Sequence, residues 1–203
     1  MSFEIQPNET GVDRVISLFH QSIEAKMADG ERLAPSIQQA SALIASRLLE
    51  GKKILCCGNG TSASMASILV QNLMQQYQME RPGFAAMALG SDIAFSTAVL
   101  QQNPPDLFAQ SINALGNQGD VLVAFSHGNA PANIIRAIQA AHNKEMACIC
   151  FSAIGDENIT ASLSNGDCQV KIENQDRHRV SEIQLLSIYA LCDLIDFQLF
   201  GGM

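Results

Sequence analysis

Tryptophan is absent from this sequence, and aromatic residues make up only 5% of it. Aliphatic residues and alanine must therefore fill the core of a chain that is 47% hydrophobic. Basic residues are also scarce, with 12 Lys and Arg against 20 Asp and Glu and a formal net charge of -8. No cluster of Lys and Arg stands out to neutralise a phosphate backbone, which argues against direct binding to DNA or RNA. An acidic surface better suits a basic protein partner, although acidity by itself also serves solubility. CxxC pairs and the Cys/His spacings of metal sites are missing too. Cys56 and Cys57 are adjacent in an apolar run, so in a strand they face opposite ways and no disulfide joins them without distortion. All six cysteines read as reduced, buried thiols, and no metal or cofactor is expected. The opening MSFEIQPNETGVDR lacks a basic-then-apolar leader pattern. The longest apolar stretch, 183–200, is broken by Asp193 and Asp196, which argues against a membrane span. The cytoplasm is the expected compartment.

What is present points to a single α/β domain, a size that 203 residues fit. Val12, Val15, Ile16, Phe19, Ile23 and Met27 recur at helical spacing, and so do Ile37, Leu43, Ile44 and Leu48. The polar run Asp29-Gly30-Glu31, with Pro35 after it, predicts a turn between two helices. Short apolar runs follow at 53–57, 85–89, Val121–Phe125, 146–151 and Cys168–Ile172, alternating with helical patterns such as 62–76 and 131–143. Continuous apolar strands alternating with helices predict a parallel sheet covered on both faces, an α/β three-layer sandwich. The segment 178–200 reads as a long helix, apolar nearly all round, which predicts burial on several sides, including against other subunits. The expected organisation is one domain over 1–203: helices in 1–50, the sheet core in 51–175 and a closing oligomerisation helix in 176–203.

Two loops end strands of that sheet. Gly58-Asn59-Gly60-Thr61-Ser62 joins the first strand to a helix, and its glycines, hydroxyls and helix N-terminus can hold an anion. It is neither a Walker loop nor a dinucleotide-binding loop. Strand-helix turns favour the same residues as plain connectors. Ser126-His127-Gly128-Asn129 ends the third strand, and paired loops at one sheet edge are where open α/β sheets bind ligands. A phosphorylated ligand is the expectation. His127 is a candidate for chemistry, the alternative being a solvated loop histidine. Arg177, His178 and Arg179 form a small basic cluster before the last helix, which also carries Glu182. Asp193 and Asp196 are expected to meet solvent or another subunit.

The segments ILCCGNGTSAS, ERPGF, GDVLVAFSHGN and LCDLIDFQLF resemble the sugar isomerase (SIS) domain family. The likeness runs over about 12–200. It falls in the branch of phosphoheptose isomerases and DnaA initiator-associating proteins, with ILCCGNGTSA and LCDLID..LF nearer the latter. The resemblance implies a five-stranded parallel, flavodoxin-like sheet and a homotetramer with N- and C-terminal helices at its centre. It implies phosphosugar contacts at Gly58, Asn59, Gly60, Thr61, Ser62, Ser126, His127 and Gly128. The positions at which the isomerases carry His, Glu, Gln and His hold Ile68, Asn72, Ser181 and Tyr189 here, and their Asn-Asp pair is Leu100-Gln101. Moving a proton between neighbouring sugar carbons needs a base and an acid poised near neutrality, which Asn72 and Tyr189 do not supply. The resemblance therefore implies a non-catalytic partner of a DnaA-type initiator at the chromosomal origin. The alternatives are a phosphoheptose isomerase or a phosphosugar sensor. Leu191, Leu194, Ile195 and Leu199 are expected at subunit contacts. Phe200 is expected to anchor the partner, the alternative being that it folds back on its own subunit.

Overall fold

Thr10 and Asp13 form a capping box: the Asp13 amide donates to the Thr10 hydroxyl at 3.2 Å, and the Thr10 amide donates to the Asp13 carboxylate at 3.1 Å. They open helix α1, Gly11–Leu49, in a computed structural model that describes residues 10–201. The start of the opening segment read above for a leader pattern, and the last two residues, lie outside the described residues. The expected turn at Asp29-Gly30-Glu31 is not there, because α1 runs through it as one helix of 39 residues. Asp29 is buried and pairs with Arg32, which also donates to the Lys171 carbonyl at 2.7 Å. Pro35 and Glu31 lie on the exposed side, so the carbonyl that proline leaves unpaired faces water. Leu33, Ile37 and Ile44 on the opposite side are packed into the core, which offsets the local cost of Gly30 and Pro35.

After α1 the chain alternates. Strand β1 (Ile54–Gly58) leads to α2 (Thr61–Met74), and β2 (Ala86–Ala88) to α3 (Ile93–Gln102), then a 3-10 turn and α4 (Leu107–Leu115). Strand β3 (Val121–Phe125) leads to α5 (Ala132–Asn143), β4 (Ala147–Ala153) to α6 (Glu157–Ser162), and β5 (Cys168–Ile172) to α7 (Arg177–Phe200). All pairings are parallel and the order is β2-β1-β3-β4-β5. This is the expected three-layer α/β sandwich with a five-stranded sheet. Alternate residues of each strand feed different faces: Ile54 and Cys56 pack with α1, α2 and α7, while Leu55 and Cys57 pack with α4 and α5. Phe125 and Phe151 stack at 4.7 Å between centroids in the first of these cores. All six cysteines are buried and free.

Among the described residues, α7 is the one helix long and apolar enough by composition to cross a membrane. In this fold it packs on α1, α2 and β5. Leu191 and Ile195, expected at subunit contacts, are instead fully buried in the chain's own core, and Leu194 and Leu199 are partly buried against it. The face of α7 turned outward carries Leu186, Tyr189, Asp193, Phe197 and Phe200. Asp196 is turned away from solvent: it is buried and pairs with Arg81 at 2.6 Å. The first turns of α1 leave Val12, Val15, Ile16, Phe19 and Ile23 uncovered.

Candidate functional site

Strands β1 and β3 are neighbours from which the chain winds in opposite directions, so the crevice at their carboxyl ends is the topological switch point of the sheet. Both loops singled out in the sequence arrive there. Gly58 ends β1 where a side chain has no room: a Cβ would stand 2.5 Å from the Ser62 carbonyl. That close approach sets the first turn of α2 directly over the strand end. Gly128 has φ +97°, and a Cβ there would meet the Ile154 carbonyl at 2.5 Å.

Side chains tie the two loops together. The amides of Asn59 and Asn133 bond reciprocally, at 3.1 and 3.0 Å. Deeper in, the His127 ring spans from one hydroxyl to another, with Nδ1 2.6 Å from Ser62 Oγ and Nε2 2.8 Å from Ser181 Oγ on α7. Ser181 donates its own proton to the Arg177 carbonyl at 2.9 Å, so it accepts from His127. A ring proton is thereby assigned to Nε2, and in the neutral ring Nδ1 accepts from Ser62. Burial, and after it the charge of Arg177, hold the imidazole below its usual pKa, with Asp156 pulling the other way.

Asp156, fully buried just before α6, organises the second loop. Its oxygens accept from Ser126 Oγ at 2.9 Å, Gly128 N at 3.0 Å, Ala130 N at 2.7 Å and Ala153 N at 2.9 Å. Ser126 and Gly128, expected to face a ligand, are therefore turned inward to this carboxyl group. The Ser126 carbonyl accepts from buried Gln184 at 2.7 Å. Asp156 and Asn133 were not recognised as site residues in the sequence, and Ser181 was singled out only as standing where the isomerases carry Gln. Asp156 follows Gly155 after β4, a third strand-ending loop beside β3, and that position was the available signal.

On the β2 side of the first loop lies a crevice of about 230 Å³, bordered by Asn59, Ser67, Ser91, Ser96, Leu100 and Phe108 among small residues. No ionisable side chain lines it. Ile68 packs on the core, the Asn72 amide nitrogen is buried without a hydrogen-bond partner, and Tyr189 stacks on Tyr77 at 6.0 Å. Gln101 is exposed at the end of α3. Of the basic cluster, Arg179 pairs with Glu182 at 2.8 Å and Arg177 acts on His127, while His178 is exposed. Phe200 folds back on its own chain, stacking on Phe84 at 6.3 Å, and stays 45% exposed.

One cluster elsewhere could offer metal ligands. His142, Cys148 and Asp167 bring donor atoms within 4.8 Å of one another near the amino end of β4. The Asp167 oxygens already accept from His142, Cys148 N and Ser164 N, and burial pushes the Cys148 thiol up. This is the arrangement of a structural brace between α5 and β5.

Residues 18–153 match the SIS domain. The chain is 39% identical to a phosphoheptose isomerase of Halorhodospira halophila, over 94% of this chain and 96% of that one. It is 34% identical to the DnaA initiator-associating protein DiaA of Klebsiella pneumoniae, over 93% and 97% of the two chains. The structure of a phosphoheptose isomerase from Francisella tularensis superposes with a TM-score of 0.88 at 32% identity, covering 93% of this chain and 99% of that one.

Proposed function

The chain belongs to the SIS domain family, and from that premise we propose that it is a phosphosugar-pocket protein without isomerase chemistry, acting as an adaptor for a DnaA-type replication initiator. The observation that carries this reading is the chemistry of the crevice. Its lining holds no ionisable group, and the one imidazole at the switch point is tied to a hydroxyl at each nitrogen. Asn72 cannot take a proton, and Tyr189 stacks on Tyr77. Losing one general acid or base removes about 10²–10⁴ in rate, and here both are replaced.

The adaptor role draws on the outward face of α7. Phe200 stands half-exposed at its end beside Phe197 and the acidic Asp193, a surface suited to a partner with basic and apolar residues. The uncovered apolar stripe of α1 and the groove between α1 and α7 fit association of copies into the homotetramer implied by the family. Four identical surfaces would gather several initiators by effective concentration. The cytoplasm is the compartment this role requires. The test is retention of a purified DnaA-type initiator by the immobilised full-length chain. Phe200→Ala should lose at least about tenfold in binding while light scattering reports an unchanged assembly. Equal retention, or dissociation of the assembly, overturns the role given to Phe200.

A second reading, isomerisation of sedoheptulose 7-phosphate, is favoured by the names of several of the most similar relatives. It would need His127 to replace the missing base, and a direct product assay decides it.

A further inference from the structure

The brace at the amino edge of the sheet, the edge opposite the switch-point crevice, holds more than its hydrogen bonds use. His142 lies in the last turn of α5, Cys148 near the start of β4, and Asp167 just before β5. His142 Nε2 is 2.8 Å from Asp167 Oδ2, and the Cys148 and Ser164 amides donate to Oδ1 and Oδ2 at 2.7 Å each. The Cys148 side chain takes no part in these bonds. Its sulfur nevertheless lies within 4.8 Å of an imidazole nitrogen and a carboxylate oxygen. Nitrogen, sulfur and oxygen donors suit zinc, whose tetrahedral bonds of about 2.0–2.3 Å set neighbouring ligand atoms about 3.3–3.6 Å apart. To reach that geometry the His142–Asp167 edge opens by about 0.5 Å and the edges to sulfur close by up to about 1.2 Å. His142 is the ligand free to move, its side chain being 25% exposed against 4% for Asp167.

We propose that His142 Nε2, Cys148 Sγ and Asp167 Oδ2 bind one zinc-type divalent cation, with water as the fourth ligand on the solvent side of His142. Charge selects the valence. A thiolate and a carboxylate are both anionic and the imidazole is neutral, so a divalent ion leaves the buried site uncharged and a monovalent ion does not. The same balance meets the cost of ionising the thiol. Burial pushes Cys148 up and keeps it protonated on its own, whereas a coordinating zinc displaces that proton outright. The thiol proton goes to the buffer, and the ring proton passes from Nε2 to Nδ1 so that Nε2 offers its lone pair. The cation thus takes the place of the proton between His142 and Asp167. Both backbone amides on Asp167 survive the exchange and orient the carboxylate, as the outer partners of metal ligands do. His142 and Cys148 stand 25 and 19 positions from Asp167, a spacing that matches no ligand motif and hid the cluster in the sequence. The ion ties α5 to β4 and β5 far from the crevice, a stabilising role independent of the function proposed above.

Cobalt(II) is the probe, because it accepts zinc's ligands and, unlike zinc, reports them by colour. Anaerobic titration of the untagged full chain should give the strong visible bands of four-coordinate cobalt and a thiolate-to-cobalt charge-transfer band in the near ultraviolet. Both should saturate at a single equivalent. Zinc should bleach them and raise the Tm of the chain. Cys148→Ala should abolish the charge-transfer band. His142→Gln keeps an amide donor for Asp167, and so the brace. It should still weaken cobalt binding by at least about tenfold, the loss that even an outer partner of a metal ligand brings, and remove the zinc-dependent rise in Tm. No charge-transfer band at about hundredfold excess of cobalt overturns the proposal and leaves the cluster a hydrogen-bonded brace. A band that survives in Cys148→Ala belongs to another cysteine and overturns it as well. Should that variant fail to fold, His142→Gln decides, and an unchanged cobalt affinity there rejects the site.

Discussion

Asp156→Asn isolates what the second loop depends on. The carboxyl group is fully buried, with Oδ1 accepting from Ser126 Oγ and Ala130 N, and Oδ2 from Gly128 N and Ala153 N. The amide of asparagine fills the same volume but has one acceptor oxygen. Whichever way it sits, two of the four donors meet an NH₂ group instead. Each buried donor left unpaired costs about 1–3 kcal/mol, so the pair gives about 2–6 kcal/mol before the loop relaxes. Relaxation and water entry bring the expectation to about 3–4 kcal/mol, within the total stability of a domain this size. At about 2–4 °C per kcal/mol for such a chain, Tm should fall by roughly 6–16 °C. Far-UV circular dichroism is the readout, because no tryptophan is present. Hydrogen exchange adds a local test: the amides of Gly128 and Ala130 should lose protection ahead of the sheet. A variant within about 1 kcal/mol of the original, with both amides still protected, would refute the claim that this carboxyl group shapes the loop.

Arg81→Met should cost about 3–5 kcal/mol in urea unfolding, because it leaves Asp196 buried without its cation; a change under about 1 kcal/mol would mean that the pair does not carry the α2–α7 contact. Burial works against ionisation of Asp120, but hydrogen bonds from the Lys53 side chain and backbone and from Asn117 outweigh it, so its carboxyl lies below the usual value. A depressed carboxyl contributes stability above its unfolded value, near about pH 4, that is lost as pH falls. Asp120→Asn should therefore flatten the acid limb of the stability curve below about pH 4, and an unchanged limb would count against it. Burial raises the thiols, Cys168 to about 11 and Cys192 to about 12. A thiol reagent near neutral pH should leave the folded chain unlabelled and react with all six cysteines once it is unfolded; rapid labelling of the native chain would contradict their burial.

Some of this was legible in the sequence because the physics is local. Strands β3 and β5 begin and end where their apolar runs do, at Val121–Phe125 and Cys168–Ile172. The strand-ending loops were visible as Gly-, Asn- and Ser-rich breaks, and the switch point followed from strand order. The continuity of α1 was not visible, since Gly30 and Pro35 are helix breakers that only packing of Leu33 and Ile37 on the core overrides. Helix α6, six residues long, is too short to show a period. A helix apolar nearly all round does not reveal which face the core will take, and that is why Leu191 and Ile195 were expected at a subunit contact. The centre of the site was also hidden: Ser62, His127 and Ser181 are 65 and 54 positions apart. Their meeting depends on the crossover that puts α7 beside the carboxyl end of β3.

The central claim is that the fold and pocket of the family persist here without its proton-transfer chemistry. A direct product assay with sedoheptulose 7-phosphate tests it most closely, run with and without added zinc beside a phosphoheptose isomerase that carries the His and Glu replaced here by Ile68 and Asn72. The account predicts turnover lower by at least about 10²–10⁴, the loss of one acid-base group. Turnover within about tenfold of the isomerase, abolished by His127→Gln, would contradict it and make this chain an enzyme with a relocated base.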